Sequence, residues 1–256
     1  MTAWSAHLST LFTELPPLER PAAAAAEGFA LCETWWPPAP DPMDWARAVR
    51  AAGLRAAAVN ADGGDLAAGE RGYCNDPARR DEVVAAAVAA AEVAVAGGGS
   101  AVNLLAGRVR PGEPLEAQLA AAADAVRAAA DAVAAIGGRL VIEHLNAVDV
   151  DRPLLPTPAD AAAFVDRVAH PAVTVLFDAY HAAMAGLDPV AALDDVAGRI
   201  GHVQFADHPG RGAPGTGRLD LGAITARLAE LGYDGPVGLE FLPGGPTPPA
   251  LAALPR

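Results

Sequence analysis

The chain has 256 residues, a formal charge of −13 and 52% hydrophobic residues, much of that fraction alanine. This length suits one large domain or two small ones and is common for an α/β barrel. The acidity speaks against nucleic acid or anionic membrane as partners, because phosphates reward clustered Lys and Arg. All 18 basic residues are arginine, so no lysine Schiff-base mechanism is open, which removes a large group of barrel aldolases.

In chain order, His7 to Phe12 reads as a first strand, followed by a helix over 17–27 that Gly28 stops. Residues 29–33 read as a second strand ending in Glu33, with Trp35-Trp36-Pro37-Pro38 after it. Asp44 is the expected cap of a helix running through Ala52, and 54–60 is the third strand. The polar, glycine-rich stretch 61–76, containing Gly69-Glu70-Arg71-Gly72, reads as a functional loop. A helix over 77–96, a fourth strand over 100–106 and a long alanine-rich helix over 114–136 follow. The fifth strand covers 139–145, and Thr157 caps a helix over 158–170 with proline in its first turn. A sixth strand over 173–177, a helix over 188–197, a seventh strand over 200–206, a helix over 220–231 and an eighth strand over 236–241 complete the pattern. The proline-rich tail after Pro243 has room for one short terminal helix.

Eight apolar strands alternating with helices, with no composition break to mark a linker, predict a single α/β domain over 1–256, a closed (β/α)8 TIM barrel. A doubly wound open sheet is the alternative, but no GxGxxG follows the first strand and no Walker sequence occurs. Cys32 and Cys74 form no CxxC and suggest no disulfide framework. The first twelve residues show no basic leader before an apolar stretch, and the Ala/Val run 83–96 is interrupted by Glu92. The expectation is therefore no secretory signal, no membrane span and a cytoplasmic location.

Barrel active sites lie where strands run out at their C-terminal ends. Glu143, Asp178, Gln204 and Glu240 stand there on strands five to eight, so four distant segments can converge. Three carboxylates and an amide oxygen are hard ligands suited to Mg²⁺ or Mn²⁺. Without a cation they would repel one another and raise their pKa values. Carboxylates on facing strands can also move a proton between adjacent carbons. By strand alternation, an inward Glu240 brings Gly238 inward, leaving room beneath it, and an inward Gln204 puts His202 one layer below. Arg211, on the Pro209-Gly210 loop, is the candidate clamp for a substrate carboxylate, because its planar fork binds carboxylates bidentately. His181 can hydrogen-bond substrate oxygen, Glu33 can line the pocket floor, and Glu70 with Arg71 can form a lid. Asn146 and His144 are candidates for supporting contacts behind them. Gly215-Thr216-Gly217 is a weak phosphate-cradle signal, since no helix start points at it. Trp35-Trp36 is a candidate contact in a homo-oligomer.

Glu143-His144-Leu145-Asn146, Asp178-Ala179-Tyr180-His181, His202-Val203-Gln204 with Pro209-Gly210-Arg211, and Gly235 to Glu240 together resemble the hydroxypyruvate isomerase family, one of the xylose-isomerase-like barrels. Phe29, Glu33, Trp36-Pro37 and Gly69-Glu70-Arg71-Gly72 extend the likeness from Leu11 to Pro243. The resemblance implies isomerisation of a small hydroxy-oxo acid, hydroxypyruvate to tartronate semialdehyde, without an organic cofactor. It implies Glu143 and Glu240 as the acid/base pair, which also bind metal, with Asp178 and Gln204 completing the shell. Related sugar epimerases commonly have histidine at the position of Gln204, and close members include an isomerase of 2-oxo-tetronates. Three other readings compete. They are C3 epimerisation of a ketose in the same barrel, a non-catalytic sugar- or acid-binding protein, and a nuclease. The nuclease is disfavoured by six scattered histidines and the charge of −13.

Overall fold

The computed structural model describes residues 2–247 and 251. Eight short strands, β1 (Trp4–His7), β2 (Leu31–Thr34), β3 (Arg55–Asn60), β4 (Ala101–Asn103), β5 (Arg139–Glu143), β6 (Val173–Asp178), β7 (Ile200–Phe205) and β8 (Val237–Leu239), each pair in parallel with the next. β8 returns to β1, pairing Trp4 with Val237 and Ala6 with Leu239, so the sheet closes and leaves no edge. Helices α1 (Arg20–Ala26), α2 (Pro42–Ala51), α3 (Arg80–Ala96), α4 (Leu115–Ala135), α5 (Pro158–Val168), α6 (Ala179–Met184), α7 (Pro189–Ala192) and α8 (Leu221–Glu230) lie between strands.

The alanine richness has a packing consequence. α3 and α4 pack against each other, and Ala87, Ala90 and Ala91 of α3 and Ala122, Ala125 and Ala129 of α4 are all buried, so small side chains make up much of what the two helices bury. Ala58, Ala101, Val141 and Leu176, from four successive strands, form a small buried apolar cluster of their own. The larger apolar cluster sits between strands and helices. Each buried Val, Leu or Phe there contributes roughly 1.5–3 kcal/mol relative to exposure. No helix among the described residues is long and apolar enough to cross a membrane.

The chain departs from the sequence reading at identifiable places. The first strand is Trp4–His7 and ends where it was expected to begin. The apolar run Leu8 to Phe12 is instead a buried turn, in which the N–H groups of Thr10 and Leu11 donate to the His7 carbonyl. Asp41, and not Asp44, caps α2 by accepting the Met43 N–H. The helix expected over 77–96 opens with a 3-10 turn at Pro77–Arg79. That expected over 188–197 divides into α7 and a 3-10 turn at Leu193–Val196. Thr157 caps α5 as expected, in a reciprocal capping box with Asp160. The terminal helix expected after Pro243 lies outside the described residues.

Candidate active site

The four predicted tips stand at the same end of four neighbouring strands. Glu143 and Asp178 are the last residues of β5 and β6, Gln204 pairs in register with Asp178, and Glu240 directly follows β8. All four are buried. Ligand atoms of Glu143, Asp178 and His181 lie within 4.8 Å of one another. Glu143 accepts a hydrogen bond from Asn103 Nδ2 at 2.7 Å. Asp178 caps α6, its Oδ1 accepting the N–H groups of Tyr180 at 2.7 Å and His181 at 3.1 Å, which leaves Oδ2 for another partner. Glu240 Oε1 accepts from the Trp35 indole N–H at 2.9 Å and from Arg211 at 2.7 Å. The Oε1 of Gln204 is buried with no hydrogen-bond partner among the described residues.

Burial, then the charges of Glu240 and Asp178, push the Glu143 carboxyl well above the usual carboxylate range. Burial pushes Asp178 up too, but His181, Arg211 and the capping N–H groups outweigh it and hold this carboxyl low. Arg211 is disfavoured by burial and more than compensated by Glu240, Asp178 and Glu143, so its guanidinium stays firmly charged. Glu143 and Asp178 bring hard carboxylate oxygens close together, and on the strand beside Asp178 the unpartnered buried amide oxygen of Gln204 is a donor of the same hard kind, the chemistry a divalent cation takes.

His181 is held from behind. Its Nδ1 faces the Asn146 backbone N–H at 3.2 Å and the Asn146 Nδ2 at 2.6 Å. The Asn146 carbonyl oxygen already accepts from Val148 and Asp149 N–H groups, which fixes the amide orientation. Nδ1 is therefore the acceptor, and the neutral ring carries its proton on Nε2, 3.7 Å from Glu143 Oε1. Burial lowers the His181 pKa, which keeps that ring neutral. A ring in this tautomer donates a hydrogen bond and has no Nε2 lone pair for a metal. Asn146 thus holds the His181 ring from behind. His144 accepts the Asp178 backbone N–H at 3.3 Å and is pushed to a pKa of about 3, mainly by burial.

Other sequence candidates sit differently. Glu33 does not line the cavity: its side chain is 1% exposed and lies beneath the tips, bonded to His202 Nε2 at 2.8 Å and Gln204 Nε2 at 2.9 Å. It occupies the room left by Gly238, where a Cβ would stand 2.1 Å from Glu33 Oε1. His202 is one layer down, as expected. Glu70 points away from the cavity, accepting the Asp65 N–H at 2.7 Å and pairing with Arg79 at 2.6 Å, so it staples its loop. Arg71, by contrast, lines the cavity. The amides of Gly215 and Gly217 are already taken by Asp207 Oδ2, both at 2.9 Å, and Asp207 Oδ1 accepts from His208 and Leu219. No phosphate cradle is left there. Trp35 and Trp36 form cavity wall. Asn103, Asp149, Asp207 and the cavity role of Trp35 were missed. Asn103 meets Glu143 across 40 positions and Trp35 meets Glu240 across 205, while Asp207 works within its own loop, and nothing in the local sequence marks those partners.

The cavity over these residues holds about 310 Å³. Glu143, Glu240, His181 and Arg211 make its polar side, and Trp35, Trp36, Leu66, Leu105 and Val150 its apolar side.

The chain matches the family described as xylose isomerase-like TIM barrel over residues 21–254. It is 42% identical to a Streptomyces coelicolor protein provisionally named hydroxypyruvate isomerase, over 94% of this chain and 91% of that one. Identity is 33% to the 2-oxo-tetronate isomerase of Pectobacterium atrosepticum, over 96% and 94% of the two chains. It is 31% to the hydroxypyruvate isomerase of Escherichia coli, over 95% and 94%. A crystal structure from Brucella melitensis, described as an AP endonuclease of family 2, superposes with a TM-score of 0.92 at 32% identity, covering 98% of this chain and 97% of that one. The chain belongs to the xylose isomerase-like TIM barrel family, in the branch of the hydroxypyruvate and 2-oxo-tetronate isomerases.

Proposed function

We propose that the chain is an isomerase of a small hydroxy-oxo acid, interconverting hydroxypyruvate and tartronate semialdehyde in the cytoplasm. Glu143 and Glu240 are the acid/base pair. Glu143, Asp178, Gln204 and Glu240 would hold a Mg²⁺ or Mn²⁺ ion, which would supply positive charge to stabilise the developing oxyanion. One glutamate takes the proton from C3 of hydroxypyruvate, leaving an enediolate; the hydroxyl proton passes from the C3 oxygen to the C2 oxygen, and a glutamate returns a proton to C2, giving the aldehyde at C3 and the hydroxyl at C2. Such positioned proton transfer typically contributes ~10²–10⁴-fold. His181, with its proton on Nε2, donates a hydrogen bond to the oxygen on which negative charge develops. Arg211, anchored on Glu240, and Arg71 at the cavity wall bind the substrate carboxylate. Trp35 and Trp36 shield the reacting carbons from water.

The observation that carries this reading is the convergence of two buried glutamates, Glu143 and Glu240, coupled through their charges at one cavity. The test is incorporation of solvent deuterium into hydroxypyruvate with Mg²⁺ or Mn²⁺ present. Wild-type protein should exchange and Glu143→Gln should not; undiminished exchange by that variant rejects the assigned role. A second substrate, a 2-oxo-tetronate, is favoured by the cavity, since a three-carbon acid occupies only part of 310 Å³. Relative kcat/KM on the two acids separates them.

A further inference from the structure

The buried carboxylate of Glu33 lies below the reacting groups and outside the lining of the cavity over them, yet it holds the one neutral member of the proposed ligand set. Two rotations are open to the amide of Gln204, and they exchange a donor for an acceptor at each end. Glu33 Oε1 takes Gln204 Nε2 at 2.9 Å, and Glu33 Oε2 takes His202 Nε2 at 2.8 Å. A flipped amide would set its carbonyl oxygen against a carboxylate oxygen, with no proton between them. Glu33 cannot swing aside. It is buried, bonded at both oxygens, and packed over Gly238 so tightly that even a Cβ there would overlap it. The remaining amide atom, Gln204 Oε1, is therefore turned away from Glu33, buried and unpartnered.

We propose that Glu33 is a positioning residue that fixes the amide rotation of Gln204, making its carbonyl oxygen a permanent acceptor for a hard cation. This rests on the reading of Gln204 as a metal ligand. It explains how a neutral side chain serves beside three acids: a carboxylate one layer below decides which of its ends faces up.

The test measures Mn²⁺ affinity of the purified chain by calorimetry and by the paramagnetic signal of free Mn²⁺, without substrate. Glu33→Gln, nearly the same shape, can turn either a carbonyl oxygen or an NH2 toward Gln204, so it no longer dictates the amide's rotation and should weaken Mn²⁺ binding by roughly 10–100-fold, the usual cost of disturbing a partner behind a ligand. In a Gln204→Ala background the same substitution should change the affinity less than twofold. Equal losses in both backgrounds, or wild-type affinity for Glu33→Gln, overturn the inference while leaving the metal site standing. Failure of wild-type protein to bind Mn²⁺ overturns the metal reading itself. Should Glu33→Gln not fold, the side-chain amide of Gln204 in wild-type protein decides. Its Nε2 protons should exchange slowly with solvent, before and after Mg²⁺ is added, and fast exchange refutes the contact with Glu33.

Discussion

Replacing Gly238 by alanine would put a methyl group 2.1 Å from Glu33 Oε1 and 2.5 Å from its Cδ. Both distances are far inside contact, so either the β8 backbone or the carboxylate must move. In an ordinary strand the change from glycine to alanine stabilises by roughly 0.5–1 kcal/mol, because the unfolded chain loses freedom. Here overpacking costs about 1–3 kcal/mol. Pushing Glu33 off His202 and Gln204 leaves a buried charge short of partners, which costs about 3–5 kcal/mol when such a pair is broken outright. A net loss near 3 kcal/mol is expected, or a fall in Tm of roughly 6–12 °C for a chain of this size. The control is Gly245→Ala, where a Cβ meets nothing within 4 Å and the change should stay within about 0.5 kcal/mol. Paired thermal and urea denaturation measures both. A Gly238→Ala protein as stable as wild type would show that Glu33 is not confined where the packing places it.

Asp207→Ala removes the acceptor of four backbone N–H groups that shape the loop carrying Arg211. Bonds to a charged acceptor are worth about 1.5–3 kcal/mol each at most. The loop should become a site of limited proteolysis and KM for the acid should rise; an uncleaved loop with unchanged KM rejects that role. For Glu143 the sign follows from its raised pKa in the folded chain: folded protein holds this proton more tightly than unfolded protein does. In chelator, stability should therefore fall as pH rises from the usual carboxylate range through the raised value, and Glu143→Gln should flatten that fall. Urea midpoints across pH report it, and parallel curves for the two proteins refute it. Burial raises the thiols of Cys32 and Cys74, the latter to about 12. Native protein should react with a thiol reagent far more slowly than urea-unfolded protein, and equal rates refute the burial.

The tips were legible because each is a polar residue ending a short apolar run, and in a barrel that position has one address. The fold followed from the alternation of such runs with alanine-rich helices. What the sequence hid was depth. Leu8 to Phe12 is apolar enough for a strand, yet it is a buried turn, so the end of β1 and the place of His7 were misjudged. Glu33 ends an apolar run like the other acids, but a register shift between Cys32 and Glu33 accompanies its place beneath the site. Glu70 and Arg71 are neighbours with opposite fates, because the acid finds Arg79 and the Asp65 N–H while the arginine finds none of the loop's acids. Gly215-Thr216-Gly217 offered free amides on paper, and only the folded loop reveals that Asp207 has taken them.

The charge balance of the two layers argues for what the upper one holds. Below, Glu33 meets His202 and His7, and burial, which alone would raise its carboxyl, is outweighed by those rings and by Gln204. Above, Glu143, Asp178 and Glu240 surround the Arg211 guanidinium, while Arg71 and Asp149 at the cavity wall offset one another in charge. Fully ionised, three negative charges and one positive leave −3 + 1 = −2, which one divalent cation cancels. Without a cation, burial and the charges of Glu240 and Asp178 favour the protonated form of Glu143 more than in an ordinary carboxyl, raising its pKa. Binding of Mn²⁺ at a pH below that raised value should therefore release up to about one proton per ion, fading as the pH climbs past it. Calorimetry in buffers of different ionisation enthalpy counts that proton. Release that is absent throughout, or that survives Glu143→Gln undiminished, would mean that the cation and the proton do not compete for the same carboxylate.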